Sequence, residues 1–256
     1  MTSLKKMIVF VTGASSGIGR SCARAFAREG ASILMAARRA DRLNDLAKSL
    51  AAEYGVPVYF FALDVRNQVE VAQSLTALPD EWKPIDVLVN NAGLSRGLDK
   101  LPDGLISDWE EMIDTNVKGL LFVSRAVLPG MVARGRGHVI NIGSIAGHEL
   151  YPAGNVYCAT KFAVKALSRG LRLDLSGTNI RVSTVDPGMV ETEFSEVRFH
   201  GDAGRAAKVY QGLTPLSPED VAEAVLFCAT RPPHVNISEV IVMPTDQAST
   251  TMIHRR

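Results

Sequence analysis

Met7-Ile8-Val9-Phe10-Val11-Thr12-Gly13-Ala14-Ser15-Ser16-Gly17-Ile18-Gly19 is the stretch on which the reading of this chain turns. Its first five residues form an unbroken apolar run, the pattern of a strand buried on both faces of a parallel sheet. The three glycines that follow, spaced G-x-x-x-G-x-G, let the backbone turn tightly and approach a pyrophosphate at the N-terminus of the helix they open. The spacing is not the commoner G-x-G-x-x-G, and a glycine-rich turn alone is equally a tight turn without a ligand. Its position, between a buried strand and a helix, favours nucleotide binding. From Gly17 the apolar residues Ile18, Cys22, Ala25 and Phe26 recur at helical spacing, and Gly30 is the predicted C-terminal cap.

Outward from this unit the same alternation repeats. Strands are predicted at Ser32–Ala36, Val58–Leu63, Val87–Asn90, His138–Ile142, Arg181–Val185 and Glu239–Met243, and helices at Arg42–Tyr54, Gln68–Ala77, Trp109–Ala133, Val156–Leu175 and Pro218–Thr230. Ser107, and Ser217 followed by Pro218, are the predicted starts of two of these helices. Strand and helix alternating throughout imply an α/β, doubly wound parallel sheet with helices on both faces, and a ligand crevice at the carboxyl ends of the strands. No linker or composition shift divides the chain, so residues 1–256 are expected to form one domain. Residues 188–216 lack a periodic pattern and are expected to be a substrate lid.

The second strand bears on the cofactor. Where NAD enzymes place an acidic residue about 20 positions after the glycine loop, this chain has Ala37, then Arg38 and Arg39. Guanidinium groups suit a ribose 2′-phosphate, which a carboxylate would repel. NADP(H) is therefore expected. Asp64 after the third strand, and Asn90-Asn91-Ala92-Gly93 after the fourth, sit where adenine and ribose would lie.

Tyr157 and Lys161 are four apart on a predicted helix and share a face. A free phenol, with a pKa of about 10, is a poor base. A nearby ammonium and a cationic nicotinamide would lower it toward a useful value. Ser144, at the end of the fifth strand, is placed to donate to a substrate oxygen as charge develops there. Asn116, mid-helix, is mildly unfavourable and implies a polar partner or a water. Tyr-x-x-x-Lys alone is a common coincidence; after a strand ending in serine, in a chain opening with a nucleotide loop, it is specific.

Composition narrows the classes. A net charge of +1 without a basic stripe argues against nucleic acid and anionic membrane surfaces. Cys22, Cys158 and Cys228 lack disulfide or zinc spacing, so no metal is expected and a cytoplasmic setting fits. Two lysines precede the first apolar run, but it stops after five residues without a cleavage-site pattern, unlike a signal peptide. No apolar stretch reaches the roughly 18 residues of a membrane span.

The set TGASSGIG, NNAG, Asn116, Ser144, YCATK and DPGMVET resembles the short-chain dehydrogenase/reductase family over about residues 6–244. The resemblance implies a single-domain, Rossmann-like sheet of seven parallel strands. It implies Tyr157 as acid/base, Lys161 holding the nicotinamide ribose and lowering the tyrosine pKa, Ser144 orienting the substrate oxygen, and Asn116 holding a relay water. Cofactor contacts would come from Gly13, Ser15, Ser16, Gly17, Ile18, Gly19, Arg38, Arg39, Asp64, Val65, Asn91, Ala92, Gly93, Tyr157, Lys161, Pro187, Gly188, Val190 and Thr192. Stretches such as IDTNVKGLLFVSRAVLPGM and TEFSEVRFHGD are similar to the NADP-dependent 3-hydroxy acid dehydrogenases within it, implying serine, L-allo-threonine, 3-hydroxypropanoate or the matching semialdehydes as substrates, and a homotetramer. Sulfoacetaldehyde reductases are similar too, and a broad carbonyl reductase is an alternative. A non-catalytic NADP-binding sensor would be expected to have lost Tyr157, Lys161 or Ser144. An anionic substrate needs a cation; Arg198 is the first candidate. Arg96 and His148 are unusual for the group and are further candidates for contact with the substrate anion.

Overall fold

β1 (Ile8–Thr12) is buried at all five positions and alternates between two cores. Val9 and Val11 point into one cluster with Cys22, Phe26, Leu43 and Val225; Ile8 and Phe10 point into the other with Leu88, Val123, Val127 and Met131. A strand covered on both faces needs apolar residues at every position, which explains its unbroken run. The structure, a computed structural model, describes residues 3–256.

β1 is third in an all-parallel seven-stranded sheet with the order β3-β2-β1-β4-β5-β6-β7. The others are β2 (Ser32–Ala37), β3 (Val58–Ala62), β4 (Val87–Asn90), β5 (Gly137–Ile142), β6 (Ile180–Pro187) and β7 (Glu239–Val242). Helices α1 (Gly17–Arg28), α2 (Ala40–Tyr54) and α9 (Pro218–Ala229) contribute to the first cluster. α3 (Gln68–Thr76) and α5 (Leu120–Arg134) contribute to the second, with the end of α6 (Asn155–Asp174) against it. β1 pairs with β2 on one side and with β4 on the other, so the strand order reverses between β1 and β4 and a crevice opens above their carboxyl ends.

Local signals hold where their chemistry is local. Gly30 has φ +82 just beyond α1. Ser217 caps α9, and Asp220 returns the bond to complete a capping box.

Three expectations need correction. Trp109–Ala133 is a longer helical run, α4 (Ile106–Ile113), a π-helical turn over Asp114–Gly119, then α5. Ser107 is not its cap: Leu105 precedes the helix, and its carbonyl accepts the N–H groups of Asp108 and Trp109. Residues 188–216 are not irregular throughout, since they hold α7 (Phe194–Arg198) and α8 (Ala203–Val209), the latter capped by Asp202 accepting from the Arg205 N–H at 2.9 Å. Among the described residues, no helix is long and apolar enough to cross a membrane.

Candidate active site

A cleft of about 420 Å³ runs over the carboxyl ends of the strands. Its floor is stitched from two loops. The Thr12 hydroxyl accepts the N–H groups of Asn91 and Ala92, both at 3.1 Å, and the Asn91 amide donates to the carbonyls of Thr12 (2.9 Å) and Gly13 (3.2 Å). Gly13 takes φ +65, and a β-carbon on it would lie 2.9 Å from Ala92 Cα. Of the predicted cofactor residues, Gly13, Ser15, Ser16, Gly17, Ile18, Arg38, Arg39, Asp64, Val65, Asn91, Ala92, Gly93, Tyr157, Lys161, Pro187, Gly188, Val190 and Thr192 all line the cleft. Gly19 does not. It lies behind the loop, where a β-carbon would meet the Gly13 carbonyl oxygen at 2.5 Å, so it is required for packing rather than for the surface.

At one end Arg39 donates to Ser16 Oγ at 2.7 Å and Ser15 Oγ at 3.2 Å, while its Nη1 meets Glu193 at 2.9 Å. Arg42 reaches the same carboxylate at 2.6 Å. Both arginines hold the Glu193 carboxyl below its usual range against the opposing effect of burial. Arg38 stands 3.6 Å from Glu111. Arg66 holds the Asp64 carboxyl below the usual carboxylate range.

The other end gathers the predicted chemical groups. Tyr157 is buried, edge-on to Phe194 with ring centroids 5.7 Å apart, and Lys161 Nζ lies 5.9 Å from its ring centre. Ser144 follows β5, and its Oγ accepts the Ala146 N–H at 3.1 Å. Lys161 Nζ donates to the Ile142 carbonyl at 2.9 Å. Asn116 occupies the π-helical turn, a frequent device at functional sites. Its side chain accepts the Leu94 N–H and donates to the Leu94 carbonyl, both at 2.8 Å, and donates to Thr160 Oγ1 at 3.0 Å. The polar partner expected of a mid-helix amide is thus protein, and Asn116 does not line the cleft.

The expected acidification of Tyr157 by Lys161 is not what this geometry produces. Burial dominates and pushes the phenol well above its ordinary value; the neighbouring Tyr151 adds to the rise and the Arg198 guanidinium opposes it. Burial also lowers Lys161 to about 8, with Asp186 opposing.

Two substrate candidates are corrected. Arg96 donates to Glu111 at 2.7 Å and to the Val197 carbonyl at 2.6 Å, bracing α4 against α7 outside the cleft. His148 bonds Asp186 at 2.9 Å and Lys165 at 2.7 Å and also lies outside the cleft lining. Arg198 also lies outside the cleft lining, but it packs against the aromatic rings of the chemical end. Its guanidinium carbon lies 5.4 Å from the Tyr157 ring centre and 5.1 Å from that of Phe194; Nη2 donates to the Tyr151 hydroxyl at 3.1 Å, and buried Nε has no partner. Sequence reasoning did not find Thr12, Tyr151, Thr160 or Glu193. Thr12, at the end of a buried strand, was a readable signal; the others depend on distant contacts.

A doubly wound sheet whose crevice ends in a buried serine, tyrosine and lysine defines an oxidoreductase of the dinucleotide-dependent kind. The chain belongs to the short chain dehydrogenase family, whose profile matches residues 7–202. It is 49% identical over 252 residues (98% of this chain and all of the relative) to the NADP-dependent 3-hydroxy acid dehydrogenase YdfG of Shigella flexneri. It is 44% identical over 257 residues to an NADP-dependent 3-hydroxy acid dehydrogenase of Schizosaccharomyces pombe, spanning 100% of this chain and 99% of that one. The solved closed form of a serine dehydrogenase complexed with NADP+ is 49% identical, with a TM-score of 0.91 over 98% of this chain and 100% of its own.

Proposed function

We propose that the chain transfers a hydride between NADP(H) and small 3-hydroxy acids (serine, allo-threonine, 3-hydroxypropanoate) or the matching semialdehydes. The observation that carries this reading is Tyr157, buried at one end of a long cleft with Ser144 beside it and Lys161 one turn along its helix. The cleft fits the cofactor: Gly13, at φ +65 and packed on Ala92, lets the loop turn tightly into the N-terminus of α1, where a pyrophosphate would lie, and Arg39 with Ser15 and Ser16 offers donors where a 2′-phosphate would lie.

Bound NADP(H) supplies the hydride acceptor or donor. The chain's own residues handle the proton and the orientation. Tyr157 gives a proton to the substrate oxygen in reduction and takes it back in oxidation. Ser144 donates a hydrogen bond to that oxygen as its charge changes. Lys161, charged below about pH 8, holds the ribose. Asn116 fixes Leu94 and Thr160 around the site. Residues 188–216 act as the lid, bringing Phe194 and Arg198 over the tyrosine.

The test is reduction of NADP+ over 3-hydroxypropanoate, serine, allo-threonine, a hydroxy sulfonate and a neutral hydroxyketone, with NAD+ as control. Preference for the carboxylic acids with NADP+ supports the proposal, and equal rates with the ketone remove it. Arg39→Ala is expected to weaken NADP+ binding by about tenfold, on the order of one charge-assisted bond, and to leave NAD+ nearly unaffected; a common loss for both would overturn the assignment. Arg198→Ala is expected to raise KM for the acids by about tenfold or more with little change for the ketone. Equal effects on acid and ketone would remove Arg198 as anion anchor. The proposal includes a homotetramer built on the Asn116 and Tyr157 helices, supported by exposed Ile113, Leu121, Phe162 and Leu173; light scattering at monomer mass would dismiss it. A cytoplasmic location is supported by three buried cysteines with no disulfide between them, and cell fractionation tests it.

A further inference from the structure

Beneath the cleft lies a charged group that this chemistry does not use. Asp186, near the end of β6, is only 2% exposed, and its Oδ2 lies 2.9 Å from His148 Nε2. The other imidazole nitrogen, Nδ1, is 2.7 Å from Lys165 Nζ. An ammonium has only donors, so Nδ1 accepts and the ring proton sits on Nε2, aimed at Asp186. The remaining oxygen, Asp186 Oδ1, rests against Gly143, where an added β-carbon would overlap it. The carboxylate is therefore pinned between His148 and the β5 loop that carries Ser144.

Lys161 reaches that same loop. Its ammonium donates to the Ile142 carbonyl, one residue before Gly143. A carbonyl stabilises a buried ammonium without neutralising it, and a buried charge without a counter-charge is costly. Asp186 opposes the effect of burial on Lys161, and Lys161 with His148 opposes the effect of burial on Asp186. The groups facing His148 are Lys165 from α6, Asp186 from β6 and Glu239 from β7, with Arg169 on the other oxygen of Glu239. Those facing Lys161 are Tyr157 on its own helix and Asp186. His148, Asp186 and Glu239 bring ligand-type atoms within 4.8 Å of one another, but Lys165, 3.6 Å from Glu239, already supplies positive charge there. The cluster is an ion network.

We propose that Asp186, oriented by His148, is the counter-charge that keeps the Lys161 ammonium protonated during turnover, which makes His148 and Asp186 positioning residues of this site. The proposal rests on the reading of Lys161 as a charged ribose-holding group. Without the Asp186 charge, Lys161 gives up its proton at lower pH, so function that needs the ammonium fails earlier as pH rises.

The experiment follows semialdehyde reduction and NADPH affinity, read by cofactor fluorescence, against pH in the full chain. Asp186→Asn is expected to move the alkaline limb of both profiles down by about one pH unit or more. His148→Leu is expected to move it in the same direction. His148→Gln, whose amide N–H can still reach the carboxylate, restores much of the parent limb. Limbs unmoved in Asp186→Asn, or equal behaviour of the Leu and Gln variants, would overturn the proposal. If Asp186→Asn does not fold, the two His148 variants decide. Tyr157→Phe separates the two levels. Parent-like turnover in it removes the reading of the site itself, whereas an inactive Tyr157→Phe beside an unmoved Asp186→Asn limb removes only the counter-charge.

Discussion

Tyr157→Phe is expected to reduce kcat by about 10²–10⁴-fold in both directions, the range for losing a positioned general acid or base. That corresponds to roughly 3–5 kcal/mol of transition-state stabilisation. The phenyl ring keeps its edge contact with Phe194 and its place near Lys161, so cofactor affinity and thermal stability should stay close to the parent. Steady-state kinetics beside a fluorescence titration separates these quantities, and turnover at the parent rate would end the proposed mechanism. The pH dependence has a definite sign. Burial raises the phenol, so the protonated form is the resting state at neutral pH, as reduction requires. Oxidation requires the phenolate, so its rate should climb with pH until Lys161 discharges near 8. Reduction should show no such climb.

Gly19→Ala is expected to weaken NADP+ binding by about 10–100-fold although residue 19 lies outside the cleft. An alanine β-carbon would stand 2.5 Å from the Gly13 carbonyl oxygen and would also press on the Asn91 amide. Neither neighbour can retreat cheaply. Gly13 is fixed at φ +65 over the β4 loop, and Asn91 anchors the carbonyls of Thr12 and Gly13. Overpacking of this kind costs about 1–3 kcal/mol, and each 1.4 kcal/mol expressed in binding is tenfold. The melting temperature should fall by several degrees. An unchanged dissociation constant in a fluorescence titration would show that the loop tolerates displacement.

What could be read in advance follows the range of the interactions. The apolar run of β1 and the glycine spacing of the turn after it are patterns contained within a dozen residues, although their packing partners lie far along the chain, and Ser217 meets its partner Asp220 three residues away, so these are legible. Arg96 was misread because one of its partners, the Val197 carbonyl, lies 101 residues along the chain; it looked like a free cation and is a brace. His148 was misread for the same reason, since Asp186 is 38 residues distant. The side chain of Asn116 was correctly expected to need a partner, but the π-helical turn that carries it leaves no periodic trace in six residues. For Tyr157, spacing reveals which charges share its helix face and says nothing of how dry that face is, and burial raises the phenol.

Glu193 ties the first edge of the 188–216 segment to Arg39 and Arg42, yet all three side chains are about 40% exposed. Ion pairs so open to water contribute between about 0 and 1 kcal/mol each, comparable with thermal energy. The hold on that edge of the segment is therefore of a size that ordinary fluctuation crosses, and dissolved salt, which screens such pairs, loosens it further without touching the apolar body beneath.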